Sequence, residues 1–175
     1  MERLREVLAF VNHKGGVGKT TTVQSLAAGL RLFGKGKFGV DADGHKRLPR
    51  VLIIDLDPQA CASYLFGWSE TQNVGKPTVY DAMVQQSNLP IYQVREGIYL
   101  APAASRLISI EPFLNQRAVP RKVLYRLLAK PLNELEGTEL ADEGVTTVTE
   151  AFDYVLIDCP PAMSLLTYNA LTAAT

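Results

Sequence analysis

The stretch His13-Lys14-Gly15-Gly16-Val17-Gly18-Lys19-Thr20-Thr21 restricts what this chain can fold into more than any other. An apolar run, Val7-Leu8-Ala9-Phe10-Val11, precedes it, and a helix-period stretch follows. A glycine-rich turn between strand and helix lets many backbone N–H groups converge on a polyphosphate, and the helix start adds its positive dipole end. Lys19 can reach the β- and γ-phosphates, and the Thr20 hydroxyl can ligate Mg2+. The general pattern G-x-x-x-x-G-K-[ST] places glycine where this chain has His13, and Lys14 adds a second lysine. Two lysines crowded on one loop repel each other unless a highly anionic ligand is present. A lysine at the outer edge can point away from its own nucleotide and reach one held by a second subunit. ATP would then join a dimer, and hydrolysis would release it.

The totals set the class. A chain of 175 residues is expected to form one domain with a real core. Lys+Arg and Asp+Glu are equal at 18 each, so no overall basic charge points to nucleic acid. Cys61 and Cys159 match no metal spacing and read as buried thiols in a reducing compartment. The charged start, Met1 to Glu6, does not read as a signal peptide, and no apolar stretch approaches the roughly 20 residues that span a bilayer. The expectation is a cytoplasmic protein with no membrane partner.

Apolar residues Val23, Leu26, Ala27, Leu30 and Phe33 recur at helical spacing, which predicts a helix from Thr20 to Phe33 with a stop at Gly34. Thr20, Thr21 and Thr22 can cap its start. Residues 34–50 read as an inserted hairpin, with Asp43-Gly44 as its turn. Asp41 and Asp43 resemble the start of a calcium loop, but its glycine and closing Glu are missing. His45, Lys46, Arg47 and Arg50 form a solvated basic loop or a local cationic patch.

Val51-Leu52-Ile53-Ile54 and Tyr154-Val155-Leu156-Ile157 are runs of the kind found in strands covered on both faces. A helix is predicted over 78–85, a strand over 97–102, and a helix after Pro120 with Val123, Leu124, Leu127 and Leu128 inside. Pro131 ends or kinks that helix. Residues 134–150 read as an acidic surface connection, and a final helix runs from Ser164 to about Ala174. The alternation predicts an α/β chain with a mostly parallel sheet and helices on both faces. Ligands gather at the carboxyl ends of such strands. The glycine loop, Asp55/Asp57 and Asp158 all fall there.

An apolar strand ending in Asp158 completes a nucleotide site, its carboxylate holding Mg2+ beside Thr20. Asp57 is placed to orient the attacking water, since Pro58 forces a loop there. For Asp55, a structural role and a catalytic one stay equally open.

Three stretches, Lys14 to Thr21, Asp55-Leu56-Asp57-Pro58-Gln59 and Val155-Leu156-Ile157-Asp158-Cys159-Pro160-Pro161, resemble the nucleotide motifs of the ParA/Soj partitioning ATPases. These belong to the deviant-Walker group that includes MinD. The likeness extends through Tyr80-Asp81-Ala82-Met83 and Asn169-Ala170-Leu171, and Asp-Pro-Gln favours ParA over MinD. The resemblance implies a three-layer P-loop NTPase-like domain over residues 1–175 and an ATP-driven switch. Such a switch binds Mg-ATP and closes into a homodimer that holds DNA without sequence preference. A ParB-like partner then stimulates its release.

It also implies that Lys14, Gly15, Gly16, Val17, Gly18, Lys19, Thr20 and Thr21 bind the nucleotide, with Thr21 at the α-phosphate. Lys14, Lys19 and Asp57 would carry catalysis, Lys14 across the dimer, and Thr20 and Asp158 the metal. Relatives continue past the third motif with the adenine-binding and basic DNA-binding parts, so a shortened chain is expected. A nucleotide-binding module that docks a partner with little turnover is the alternative.

Overall fold

Uninterrupted apolar runs can only be strands that are covered on both sides, and here they form the middle of one sheet. A computed structural model describes residues 6–34, 47–130 and 147–175. The strands are β1 (Glu6–Phe10), β2 (Val51–Asp55), β3 (Tyr92–Arg95), β4 (Ile98–Ala101) and β5 (Tyr154–Asp158). Their order is β1-β5-β2-β4-β3. All neighbours run parallel except β3, which pairs antiparallel on the β4 edge. The helices are α1 (Lys19–Phe33), α2 (Cys61–Leu65), α3 (Val79–Gln85), α4 (Glu111–Asn115), α5 (Val123–Leu128), α6 (Val148–Ala151) and α7 (Leu165–Ala173). The expected α/β fold with a mostly parallel sheet is the observed one.

Alternation along each strand sorts the core into two layers. Leu52, Ile54, Tyr99, Val155 and Ile157 pack with α3, α5, α6 and α7 on one face. Val51, Ile53, Leu100 and Leu156 pack with Val23 and Ala27 of α1, and with Phe66 and Trp68, on the other. Burying each such aliphatic side chain contributes about 2 kcal/mol. Parallel register sets Phe10, Asp158 and Asp55 level with one another, so three strand ends open on one edge.

Several expectations change. Thr20, Thr21 and Thr22 do not cap α1; the cap is Gly18, at a φ of 89° and with no side chain to bond. The Thr20 and Thr22 hydroxyls go elsewhere, to Asp158 and to the Gly18 carbonyl. Gly34 does end α1, donating its N–H to the Leu30 carbonyl at 2.9 Å. Arg47 and Arg50 are no solvated patch. Arg47 donates to both Asp153 oxygens at 2.7 and 2.8 Å, and Arg50 is buried beside them, its N–H on the same carboxylate. That cluster ties the entry of β2 to the entry of β5. His45, Lys46, the calcium-like aspartates and the rest of the expected hairpin lie outside the described residues.

Val123, Leu124, Leu127 and Leu128 are all buried, as their spacing requires, and Pro120 opens a 3-10 turn that leads into α5. The helix ends at Leu128, ahead of Pro131, which lies outside the described residues. Thr147 to Glu150 is not surface connection. Thr147 and Glu150 form a capping box that starts α6, and Val148 enters the core. Cys61 is exposed rather than buried; Cys159 is buried as expected.

Candidate nucleotide site

The loop after β1 is built to present N–H groups. Gly16 and Gly18 adopt φ of 69° and 89°, left-handed values that a side chain tolerates poorly. A Cβ at either would meet no protein atom within 4 Å, so the space they border is open. The Gly18 carbonyl accepts both the N–H and the hydroxyl of Thr22 at 2.8 Å, which fixes the first turn of the 15-residue helix α1. The helix dipole then points its positive end at the loop.

At the end of β5, Asp158 is fully buried and accepts a hydrogen bond from the Thr20 hydroxyl at 2.6 Å on Oδ2. Its other oxygen, Oδ1, is buried with no hydrogen-bond partner among the described residues. Burial, partly offset by Thr20, holds this carboxyl above its usual range. A buried carboxylate oxygen without a donor is costly unless a cation meets it. The donor set of one hydroxyl and one carboxylate beside a phosphate loop suits Mg2+, which takes few protein ligands and prefers phosphate and water for the rest.

One strand over, Asp55 is equally buried, but both of its oxygens are hydrogen-bonded. Its Oδ1 accepts the Asp57 N–H at 3.0 Å, and its Oδ2 accepts the N–H and hydroxyl of Ser63 at 2.8 and 2.7 Å. The Ser63 hydroxyl in turn accepts the Ala103 N–H at 3.0 Å. Asp55 therefore braces the end of β2 against α2 and the end of β4, which decides between the two roles left open for it. Burial pushes its carboxyl up to about 7, against the pull of Ser63.

Asp57 stands on the loop that this brace holds. Its Oδ1 accepts the Gln59 N–H at 2.9 Å, and its carbonyl accepts the Ala60 N–H at 2.8 Å. The tight turn forces Ala60 to a φ of 52°, a left-handed angle that costs about 1 kcal/mol for a residue with a Cβ.

Residues 15–21 and Asp57 line one cavity of about 820 Å3, and Tyr64, Leu65 and Trp68 form its far wall. Lys14 is exposed and is not among the residues that line it; its N–H donates to Asn12 Oδ1 at 2.9 Å. The structure thus brings Lys19, Thr20 and Asp57 to one cavity, with Asp158 behind its wall through the bond to Thr20, while Lys14 does not line it. Ser63 and the Tyr64/Trp68 wall carried no local signal in the sequence. Ser63 is recognisable only from partners 8 and 40 residues away.

A family model described as an AAA domain matches residues 5–175. The chain belongs to that family, in its ParA/MinD-type branch. It is 35% identical over 171 residues to the chromosome partitioning protein ParA of Caulobacter vibrioides, covering 96% of this chain and 52% of the relative. It is 33% identical to the sporulation initiation inhibitor protein Soj of Bacillus subtilis, over 97% of this chain and 55% of the relative. The chain spans about half the length of the curated relatives it matches.

Among solved structures, a protein described as the cobyrinic acid a,c-diamide synthase of Mycobacterium smegmatis, with bound ATP analog and magnesium, is 34% identical. Its TM-score is 0.72, over 97% of this chain and 57% of that one. A plasmid partition protein from Borrelia burgdorferi shares the fold at 20% identity and a TM-score of 0.69, over 97% and 61% of the two chains.

Proposed function

We propose that this chain binds Mg-ATP, hydrolyses it, and uses the cycle as a switch in plasmid or chromosome partitioning. The observation that carries the reading is the Thr20–Asp158 pair, with one buried carboxylate oxygen left for a cation beside an open phosphate cradle. N–H groups of residues 15–20 would hold the phosphates, with Lys19 on the β- and γ-phosphates and Thr21 at the α-phosphate. Thr20 Oγ1 and Asp158 would hold the metal. When bound, Mg2+ would neutralise charge on the phosphates. Asp57 lines the same cavity, and no described donor holds its Oδ2, which leaves that oxygen to accept a proton from an attacking water.

Lys14, outside the cavity wall, is the residue to reach a nucleotide held by a second copy of the chain. Dimerisation over ATP, sequence-independent DNA binding and stimulation by a ParB-like protein are the partners this reading brings with it. The name of the Caulobacter relative supports the partitioning role.

The test is ATP turnover by the purified chain, alone and with DNA, beside Lys19→Ala. Turnover with no acceptor carboxylate present, lost by about 100-fold in Lys19→Ala, is expected. Failure of the unmutated chain to bind or turn over ATP would overturn the reading. Turnover only with an acceptor carboxylate and an ammonia source would make the chain an amide-forming enzyme, as the name of the Mycobacterium protein describes for that protein.

A further inference from the structure

A second cavity, of about 400 Å3, lies beside the nucleotide cavity. The two share Trp68 and Glu70 as a common wall, and no residue of the loop 15–21 lines the second. Two carboxylates and two cations line it: Glu70, Asp81, Lys76 and Arg106. Their charges balance, but their engagement does not.

Both carboxylates already receive donors. Asp81 Oδ2 accepts the N–H and the hydroxyl of Thr78 at 2.8 and 2.9 Å, and both Asp81 oxygens accept from Arg106 at 3.1 and 3.2 Å. Glu70 Oε2 accepts the Ser105 N–H at 3.0 Å. The cations keep more in reserve. Arg106 reaches Asp81 through Nη2 alone, which leaves its other two nitrogens without an acceptor among the described residues. No oxygen among the described residues bonds the Lys76 ammonium, which lies over the rings of Trp68 and Tyr92 instead, 5.5 and 5.7 Å from their centroids.

Both cations are also ordered before any ligand arrives. Gly75 takes a φ of 80°, and the Lys76 N–H donates to the Asn73 carbonyl at 3.1 Å, a tight turn that sets Lys76 against the two rings. Those rings pack on each other at 4.2 Å, and the Tyr92 hydroxyl donates to the Pro77 carbonyl at 3.0 Å. The Arg106 guanidinium lies over the Tyr80 ring, 4.6 Å from its centroid, while Asp81 holds its edge. Cations fixed in this way lose less freedom on meeting an anion.

We propose that this cavity is a second ligand site, for a small oxyanion of the phosphate or dicarboxylate kind, held by the Lys76 ammonium and the unspent nitrogens of Arg106. Phosphate and carboxylate oxygens are what an ammonium and a guanidinium edge complement. Gln85 and Ser87, on the same lining, carry neutral groups that can bond further oxygens. The volume falls within the roughly 300–1,000 Å3 usual for small-molecule sites. The site uses nothing from the phosphate loop, so its failure would leave the ATP reading untouched.

Calorimetric titration of the nucleotide-free chain with inorganic phosphate and, separately, with succinate tests this. At least one probe should bind with a Kd of about 1 mM or below. Phosphate alone would mark a site for one compact oxyanion, and succinate alone a site for paired carboxylates. Lys19→Ala, which disables the phosphate loop, should keep this binding. Lys76→Ala/Arg106→Ala should weaken it at least about tenfold, and Lys76→Ala alone about threefold or more. Emission from Trp68, the only tryptophan of the chain, should change over the same titration. If thermal melts show the double variant unfolded, Lys76→Ala carries the test, since it leaves Arg106 on Asp81. No saturable binding of either probe, binding abolished by Lys19→Ala, or binding unchanged in a folded Lys76→Ala/Arg106→Ala would each overturn the proposal.

Discussion

The ends of β2 and β5 lie side by side, each finishing in a buried aspartate at the same register position. At β2 both oxygens are engaged: Asp55 receives three donors and acts as a brace. At β5 the Thr20 hydroxyl reaches Oδ2, and no hydrogen-bond partner among the described residues meets Oδ1. Residue type, strand position and burial are shared, and the two carboxylates differ in their supply of donors. The closed carboxylate braces the loop that carries Asp57; the open one is the oxygen the proposed function gives to Mg2+.

The largest expected effect falls on the loop between them. Asp57→Ala should lower ATP turnover by about 100-fold or more with ATP affinity nearly unchanged, as steady-state rates and calorimetry would read. Equal losses in both would mean that Asp57 shapes the site rather than handling the water.

Next comes the brace. Asp55→Asn places an amide against the Ser63 donors, and should cost about 3 kcal/mol in urea unfolding. The same variant carries a pH signature. The Asp55 carboxyl is raised from 3.8 to about 7, so its contribution to stability is complete below 3.8 and is lost as pH rises to about 7. Unfolding midpoints of the parent should carry that decline and those of Asp55→Asn should lack it. A decline of the same size in both would place its origin elsewhere.

Legibility in the sequence divides along the same line. β1, β2 and β5 were readable because a strand buried on both faces must be apolar throughout, and Val51 to Ile54 leaves no other reading. β3 was missed because an edge strand needs only one apolar face, and Tyr92-Gln93-Val94-Arg95 shows just two alternations. The capping box of α6 could have been read from Thr147-x-x-Glu150, but it follows a polar, acidic stretch that hides it. The placement of Lys19, Thr20 and Asp158 was legible because loop and strand ends converge in any sheet of this kind. The division of labour between Asp55 and Asp158 was not, because Ser63 reaches Asp55 only once α2 has folded back.

Smaller effects sharpen the contrast further. Ser63→Ala removes one hydroxyl from the brace and strands the Ala103 N–H, which should cost about 1 to 2 kcal/mol and leave Mg2+ dependence intact. Ala60→Gly should stabilise by up to about 1 kcal/mol, because the left-handed turn no longer carries a Cβ. A destabilised Ala60→Gly in thermal melts would show that its methyl group packs for more than the angle costs.

The most direct measurement is the Mg2+ dependence of ATP affinity in Asp158→Asn and Asp55→Asn, titrated side by side by calorimetry. The open-and-closed assignment predicts that Asp158→Asn loses the gain from Mg2+ by about 10- to 100-fold while melting near the parent temperature, and that Asp55→Asn melts lower yet keeps the gain. Loss of the Mg2+ gain in Asp55→Asn, with Asp158→Asn responding as the parent does, would contradict it.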